Sequence, residues 1–281
     1  MLRAADPDAN GSSFEWSSPH ILARATALNA IRLIMYYGNA LYMIVLALDT
    51  SEARGSISIL QDVLVLETAV HTSSDPYSTW LLPAVDNALR AAGKTFRDID
   101  LFAVAPGPGS FTGVRIGLTT VKAWSEVFGQ PIAAVSRLEA LADQAEGGPA
   151  QVASFIDAQK GQVFGALYKR GENGVELFGE EIVAAAEDFV LWVKDQIGSG
   201  NVLWVSTDPS VVESVPAWQS QFAKGNEILS VPCVLAPLIG KLGFQKALKG
   251  NVLDAISLDA NYVRRSYAEV AWKGSFDAAR K

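Results

Sequence analysis

A strand ending in aspartate, a glycine turn and two further strands occur twice in this chain, and that duplication limits the possible folds more than any other feature. The segment IVLALDTSEARGSISILQDVLVLETAV, from Ile44, runs an apolar strand into Asp49-Thr50-Ser51, turns at Gly55 and continues with the alternation of a hairpin. Roughly a hundred residues later, VASFIDAQKGQVFGALYKRGENGVELF repeats the plan, with a strand ending in Asp157 and a turn at Gly161. The spacing from Asp to Gly is two residues shorter in the second copy, so the repeat is one of arrangement more than of residues.

Helices and single strands fill the intervals. Ser78 to Ala92 places Leu81, Leu82, Val85, Ala88, Leu89 and Ala92 on one helical face and stops at Gly93. A strand from Ile99 to Ala105 enters a glycine-rich stretch, and a second helix, Thr112 to Phe128, repeats Val114, Leu118, Val121, Trp124 and Phe128 at helical spacing. A strand at Ile132 to Val135 and a helix at Arg137 to Ala145 finish the half, and Gly147-Gly148-Pro149 marks a boundary. The second half is read with helices at Ala186 to Gln196 and Ala236 to Lys249 around a strand at Val202 to Ser206. Three strands followed by helix-strand units, done twice, predict the duplicated α/β fold of actin, Hsp70 and sugar kinases. The expected division is an extension over residues 1–42, a first domain over 43–147 and a second over 148–281.

The extension is foreign to that pattern. MLRAADPDANGSSFEWSSPH is polar and turn-rich and reads as disordered, while IRLIMYYGNALYMIVLAL is interrupted by Arg32, Gly38 and Asn39 and lacks the roughly 20 clean apolar residues of a membrane span. Met43 or Met35 is therefore the expected natural start, with no membrane role. A formal charge of −7 supplies no basic field for holding nucleic acid unaided. The single cysteine, Cys233, can form no internal disulfide, fits a reducing cytoplasm, and is read as a small buried apolar residue.

APGPGSFTGVRIGL, from Ala105 to Leu118, invites a phosphate-loop reading that its spacing rejects. Gly107, Gly109 and Gly113 are one residue too widely spaced for a dinucleotide fingerprint, and Val114-Arg115 stand where a Walker A loop needs Lys and Ser or Thr. Two readings remain. The backbone N–H groups of the turn, with the Ser110 and Thr112 hydroxyls, can receive an anion at a helix N-terminus; alternatively, Ser110 or Thr112 caps the helix while Gly113 and Gly117 permit close approach to a neighbour. Carboxylates for a magnesium ion would be Asp49, beside Thr50 and Ser51, and Asp157, whose neighbours Ala158-Gln159-Lys160 carry no hydroxyl. Each aspartate can equally cap its own turn.

The same stretch resembles a known signature. GPGSFTGVRIGL followed by QPIAAVSRLEALA is similar to the hallmark of the TsaB (YeaZ) family; LALDTSEARGSISI, FIDAQKGQVFGALY and YVRRSYAEVAW resemble its opening strand, second-domain opening and C-terminal segment. The match runs in order from about Met43 to Lys273. The resemblance implies a non-catalytic subunit that pairs with a TsaD-like catalytic subunit and a TsaE-like ATPase, meets tRNA through that complex, and self-associates when alone. The complex transfers a threonylcarbamoyl group to the adenosine beside the anticodon of tRNAs reading codons that begin with A. ATP and a metal ion would be used by the partners, and no cofactor is implied for this subunit. With only His20 and His71, the chain has no His-x-x-x-His ligand pair, which also removes a metallopeptidase reading. The rival class is a stand-alone ATP-dependent phosphotransferase of the same superfold.

An interaction subunit needs surplus apolar surface. On the first helix, Tyr77, Trp80, Leu81, Leu82 and Val85 form a set broader than one buried stripe; on the second, Arg115, Thr119, Lys122 and Glu126 mark the polar side, with Leu118, Val121 and Trp124 adjacent. The resemblance implies pairing through these two helices, and charged residues at Leu82 and Val121 are expected to weaken it. Tyr77 lies where relatives often carry a histidine, so no role of that histidine transfers. The basic tail, Arg264, Arg265, Lys273, Arg280 and Lys281, is read as a solvated terminus, with tRNA contact as the alternative.

Overall fold

The computed structural model describes residues 42–263, apart from 73–74, 146, 172–173 and 223–227. The extension and the basic tail therefore lie outside the described residues. Strands β1 (Ile44–Asp49), β2 (Ser56–Gln61), β3 (Leu64–Val70), β4 (Leu101–Val104) and β5 (Ile132–Ala134) form a sheet in the order β3-β2-β1-β4-β5. The second sheet, from β6 (Gln151–Asp157), β7 (Gln162–Gly171), β8 (Gly174–Ala185), β9 (Val202–Ser206) and β10 (Ile228–Ser230), has the order β8-β7-β6-β9-β10. Counted within each half, the two orders are the same. In both, an antiparallel hairpin is followed by parallel strands on the other side of the first one. This is the duplicated α/β fold predicted from the sequence.

Helices α1 (Tyr77–Ala91), α2 (Phe111–Phe128), α3 (Arg137–Asp143), α4 (Ala186–Ile197), α5 (Ser210–Glu213), α6 (Pro216–Gln221) and α7 (Ala236–Leu248) cover the sheets. All six residues of β1 are buried, so both its faces are covered, as expected of a central strand. Leu46, Leu48, Ile57 and Ile59 pack with Leu81, Val85, Val114, Leu118 and Val121 in the α1/α2 layer. Ala47, Leu60 and Ala103 meet α7, where Gly240 and Gly243 let the helix come close: a Cβ at Gly240 would stand 2.3 Å from Leu60 Cδ1, and one at Gly243 2.7 Å from Ala103 Cβ.

Helix α7 follows the second sheet in sequence yet lies on the first. Its first residue donates from the Ala236 N–H to Ser56 Oγ at 3.1 Å, and Lys246 near its end reaches the Ala134 carbonyl at 3.0 Å and Glu139 at 2.7 Å. Conversely, α3 belongs to the first half of the chain and packs on β6, with Ser154 Oγ donating to the Leu138 carbonyl at 2.9 Å. The second sheet has its own core of Phe155, Phe189, Val193, Trp204, Trp218 and Phe222. Cys233 is a free thiol and is only half-buried, since it sits in the loop leading to α7 and outside both cores. Among the described residues no helix is long and apolar enough to cross a membrane.

Candidate functional site: a plugged cleft and an open groove

The carboxyl ends of β1 and β4 meet the first turn of α2, the place where an α/β fold commonly receives ligands. Local chemistry explains the turn. Ser110 caps α2 by accepting from the Gly113 N–H at 3.3 Å, and its own N–H donates to the Ser51 carbonyl at 2.7 Å. Gly107 has φ of 121°, a conformation that side chains resist, and its carbonyl accepts from the Arg137 N–H at 3.0 Å.

The remaining glycines are spaced for contact with Thr50 and Ser51. A Cβ at Gly109 would lie 2.3 Å from the Ser51 carbonyl oxygen, one at Gly113 2.0 Å from that of Thr50, and one at Gly117 2.4 Å from Thr50 Oγ1. Thr50 Oγ1 donates to the Gly113 carbonyl at 2.7 Å. The glycine face of the turn is thus filled by the chain's own backbone. Of the two readings of this stretch, capping with close packing describes its geometry. Thr112 is exposed and Ser110 is the cap.

Asp49 is 1% exposed and fully engaged. Its Oδ1 accepts from the Ser51 N–H at 2.9 Å and from Ser51 Oγ, and its Oδ2 accepts from Arg137 Nε at 3.0 Å. Arg137, also 1% exposed, donates further to the Pro108 carbonyl at 3.2 Å and to the Glu52 carboxylate. A guanidinium therefore fills the space beside the Asp49 carboxylate. Asp49, buried and already paired with Arg137, offers no free carboxylate to a magnesium ion. Asp157 caps its own turn, accepting from the Gln159 N–H at 2.7 Å and Nε2 at 2.8 Å. The two aspartates occupy matching positions, but 108 residues of sequence separate them and no shared ligand set forms; no metal-holding group of three His, Cys, Asp or Glu occurs among the described residues.

Sequence reasoning passed over Arg137 by reading it only as a helix start. The signal available was a cation opening a helix, RLEALA, whose other residues are apolar apart from Glu139. A second polar cluster was also missed. Glu181 on β8 accepts from Ser136 Oγ, from Tyr168 at 3.2 Å and from Asn261 Nδ2 at 2.5 Å, and burial pushes its carboxyl up against the pull of those donors.

On the outer side of the first sheet, α1 and α2 leave between them a groove of about 760 Å³. Its lining is mostly apolar and includes Tyr77, Leu82, Phe111, Arg115, Ile116 and Trp124. Leu82 is 56% and Phe111 42% exposed. Trp80 and Lys122 are half-buried on the same two helices. Leu81 lines the groove floor but is only 2% exposed, and three other anticipated contact residues present little or no side chain here: Val85 is 0%, Leu118 5% and Val121 0% exposed. The correction has a simple cause. Each faces the first sheet, Leu81 and Val85 from a helix packed on β2 and β3, Leu118 and Val121 from one packed on β1 and β4, because the stripe that packs a helix on a sheet uses the same residue types as a docking surface. A charged residue at Val121 would disrupt the core and so cannot report on pairing.

Tyr77 joins the groove to the cleft. Its hydroxyl accepts from the Gly55 N–H at 2.5 Å and donates to the Glu52 carbonyl, while its ring lies 4.5 Å from His71. Burial, as the largest cause, together with the Asp49 and Glu52 carboxylates pushes this hydroxyl up to about 12, the Gly55 N–H pulling the other way. A tyrosine in the unfolded chain ionises near 10, so the neutral hydroxyl's contribution to stability is whole below about pH 10 and is lost between about 10 and 12. Urea unfolding across that window should show a steeper fall for the parent than for Tyr77→Phe; equal slopes would refute the assignment.

Matched strand orders in two mixed five-stranded sheets, each covered by helices, define a duplicated α/β protein. Similarity to known proteins makes this specific. The family model described as TsaD, tRNA N6-adenosine threonylcarbamoyltransferase, matches residues 70–205. The tRNA threonylcarbamoyladenosine biosynthesis protein TsaB of Escherichia coli (strain K12) is 30% identical over 238 residues, covering 82% of this chain and 97% of that protein. Its counterpart in Bacillus subtilis (strain 168) is 28% identical over 234 residues, covering 82% and 98%. The solved structure of YeaZ from Pseudomonas aeruginosa superposes with a TM-score of 0.62 at 26% identity, covering 78% of this chain and 99% of that one. The chain belongs to the TsaB (YeaZ) family.

Proposed function

We infer that this chain is a non-catalytic, partner-binding subunit in tRNA threonylcarbamoyladenosine biosynthesis. It pairs with a TsaD-like catalytic subunit, works with a TsaE-like ATPase, and meets tRNA through the assembled complex; alone it forms a homodimer through the same groove. The observation that carries this reading is the contrast between the two sites. Arg137 neutralises Asp49 at the buried end of β1, whereas Leu82 and Phe111 hold apolar surface open to solvent.

Exposed apolar side chains at the centre of a groove are the residues whose loss costs most on binding. Co-expressed with its cognate TsaD-like subunit, the chain should co-purify with it. Leu82→Asp should weaken that pairing by about 2 kcal/mol, roughly 30-fold, while changing the subunit's own stability by no more than about 0.5 kcal/mol. Full affinity in the folded variant would sink the groove as the interface. Calorimetric titration of the isolated chain with magnesium-ATP should show no saturable binding at micromolar nucleotide; such binding would favour the phosphotransferase reading instead.

A further inference from the structure

We propose that Glu181 is a positioning residue for the α1/α2 groove: through Asn261 and Tyr262 it holds the Arg115 guanidinium at one end of the groove, where a carboxylate of the TsaD-like subunit docks on it. The docking rests on the partner-binding reading above; the tether does not. Glu181, on β8 of the second sheet, uses both carboxylate oxygens. Its Oε1 accepts from Ser136 Oγ and from the Tyr168 hydroxyl at 3.2 Å, and its Oε2 accepts from Asn261 Nδ2 at 2.5 Å. Asn261 in turn donates its N–H to the Pro106 carbonyl at 2.9 Å, and it lies so close to the glycine turn that a Cβ at Gly107 would stand 3.1 Å from the Asn261 carbonyl oxygen. The next residue, Tyr262, is thereby delivered to the start of α2. Its ring lies 5.3 Å from Phe111 and its hydroxyl accepts from Arg115 Nε at 3.0 Å, while the Arg115 guanidinium lies 3.7 Å from the centre of the Phe111 ring.

Among the described residues, Arg115 is the one charged side chain that lines the groove, and its terminal nitrogens have no hydrogen-bond partner. A partner that covers the groove takes those N–H groups out of water and into mostly apolar surroundings, and a cation buried without an acceptor is strongly unfavourable. The occupant must therefore bring an acceptor, and a carboxylate matches the two terminal nitrogens in both charge and fork geometry. The contact with Phe111 and the bond to Tyr262 order this long side chain in advance, so its rotamer entropy is lost on folding and not on association.

Exchanging donor and acceptor at the tether tests both parts. Asn261→Asp sets a second carboxylate against Glu181; adding Glu181→Gln rebuilds the link, because the new amide donates to the new carboxylate while its oxygen still accepts from Ser136 and Tyr168. The Arg115 Nε–H resonance, read in the isolated full-length chain and identified by its loss in Arg115→Lys, should be shifted in the parent by the ring current of Phe111. It should move to the position of a free arginine in Asn261→Asp and in Asn261→Ala, which drops the tether without adding charge, and return in the double variant. Affinity for the TsaD-like subunit should fall about fivefold in Asn261→Asp and recover in the double variant, and Arg115→Gln should weaken it about thirtyfold. An Arg115 signal that stays in place in both Asn261 variants overturns the tether, and parent affinity in Arg115→Gln overturns the carboxylate site. A parent that shows the shifted signal but binds no TsaD-like subunit would overturn the partner reading and leave the tether standing.

Discussion

Replacing Arg137 by methionine should destabilise the chain by about 3–5 kcal/mol, the cost of leaving a buried carboxylate without its partner. Asp49 is 1% exposed and would keep only the Ser51 N–H and hydroxyl as donors, and the Pro108 carbonyl would lose its guanidinium. Glu52 contributes less, because its side chain is 35% exposed and water can replace the lost ion pair. Converting Asp49 to Asn in the same chain removes the stranded charge, so the double variant should recover part of the loss. Urea unfolding of the parent, both single variants and the double variant measures the coupling. Additive losses would show that the Asp49–Arg137 pair holds nothing together.

Gly113→Ala should cost about 3 kcal/mol even though alanine is intrinsically the better helix former by about 1 kcal/mol. The new Cβ would lie 2.0 Å from the Thr50 carbonyl oxygen and 3.1 Å from its carbon, both backbone atoms that no rotamer change can move aside. To relieve the clash, α2 must shift away from the end of β1, stretching the Thr50 to Gly113 and Ser110 to Ser51 hydrogen bonds. Thr112→Ala, at an exposed position one residue earlier, serves as the control and should change stability by less than about 0.5 kcal/mol. If Gly113→Ala unfolds at the parent's urea midpoint, the glycines are not there for close approach.

Helix and strand positions were readable because they depend on local spacing. The strand of Ile44–Asp49 is an unbroken apolar run, and the helix of Phe111–Phe128 repeats its buried residues every three or four positions. The turn at Gly107, Gly109 and Gly113 could be separated from phosphate loops by counting residues. The partner surface was readable only in outline. Val121 and Leu82 look alike in a helical pattern, yet one packs on β1 and the other faces the groove, since which face meets the sheet depends on how the helix is rolled.

The sequence by itself determined the duplicated strand plan, the absence of a histidine ligand pair, the failure of the phosphate motifs and the family resemblance, because each is a matter of residue type and spacing along the chain. Only the tertiary structure decided the fate of the cleft. Asp49 and Arg137 are 88 residues apart, and nothing local to either one announces the other. Folding brings the start of α3 beneath the end of β1, and burying the aspartate there required a cation of the chain's own. The crossing of α7 onto the first sheet has the same character: its apolar face fits either sheet in principle, and the small residues Gly240 and Gly243 meet Ala47 and Ala103 on only one of them.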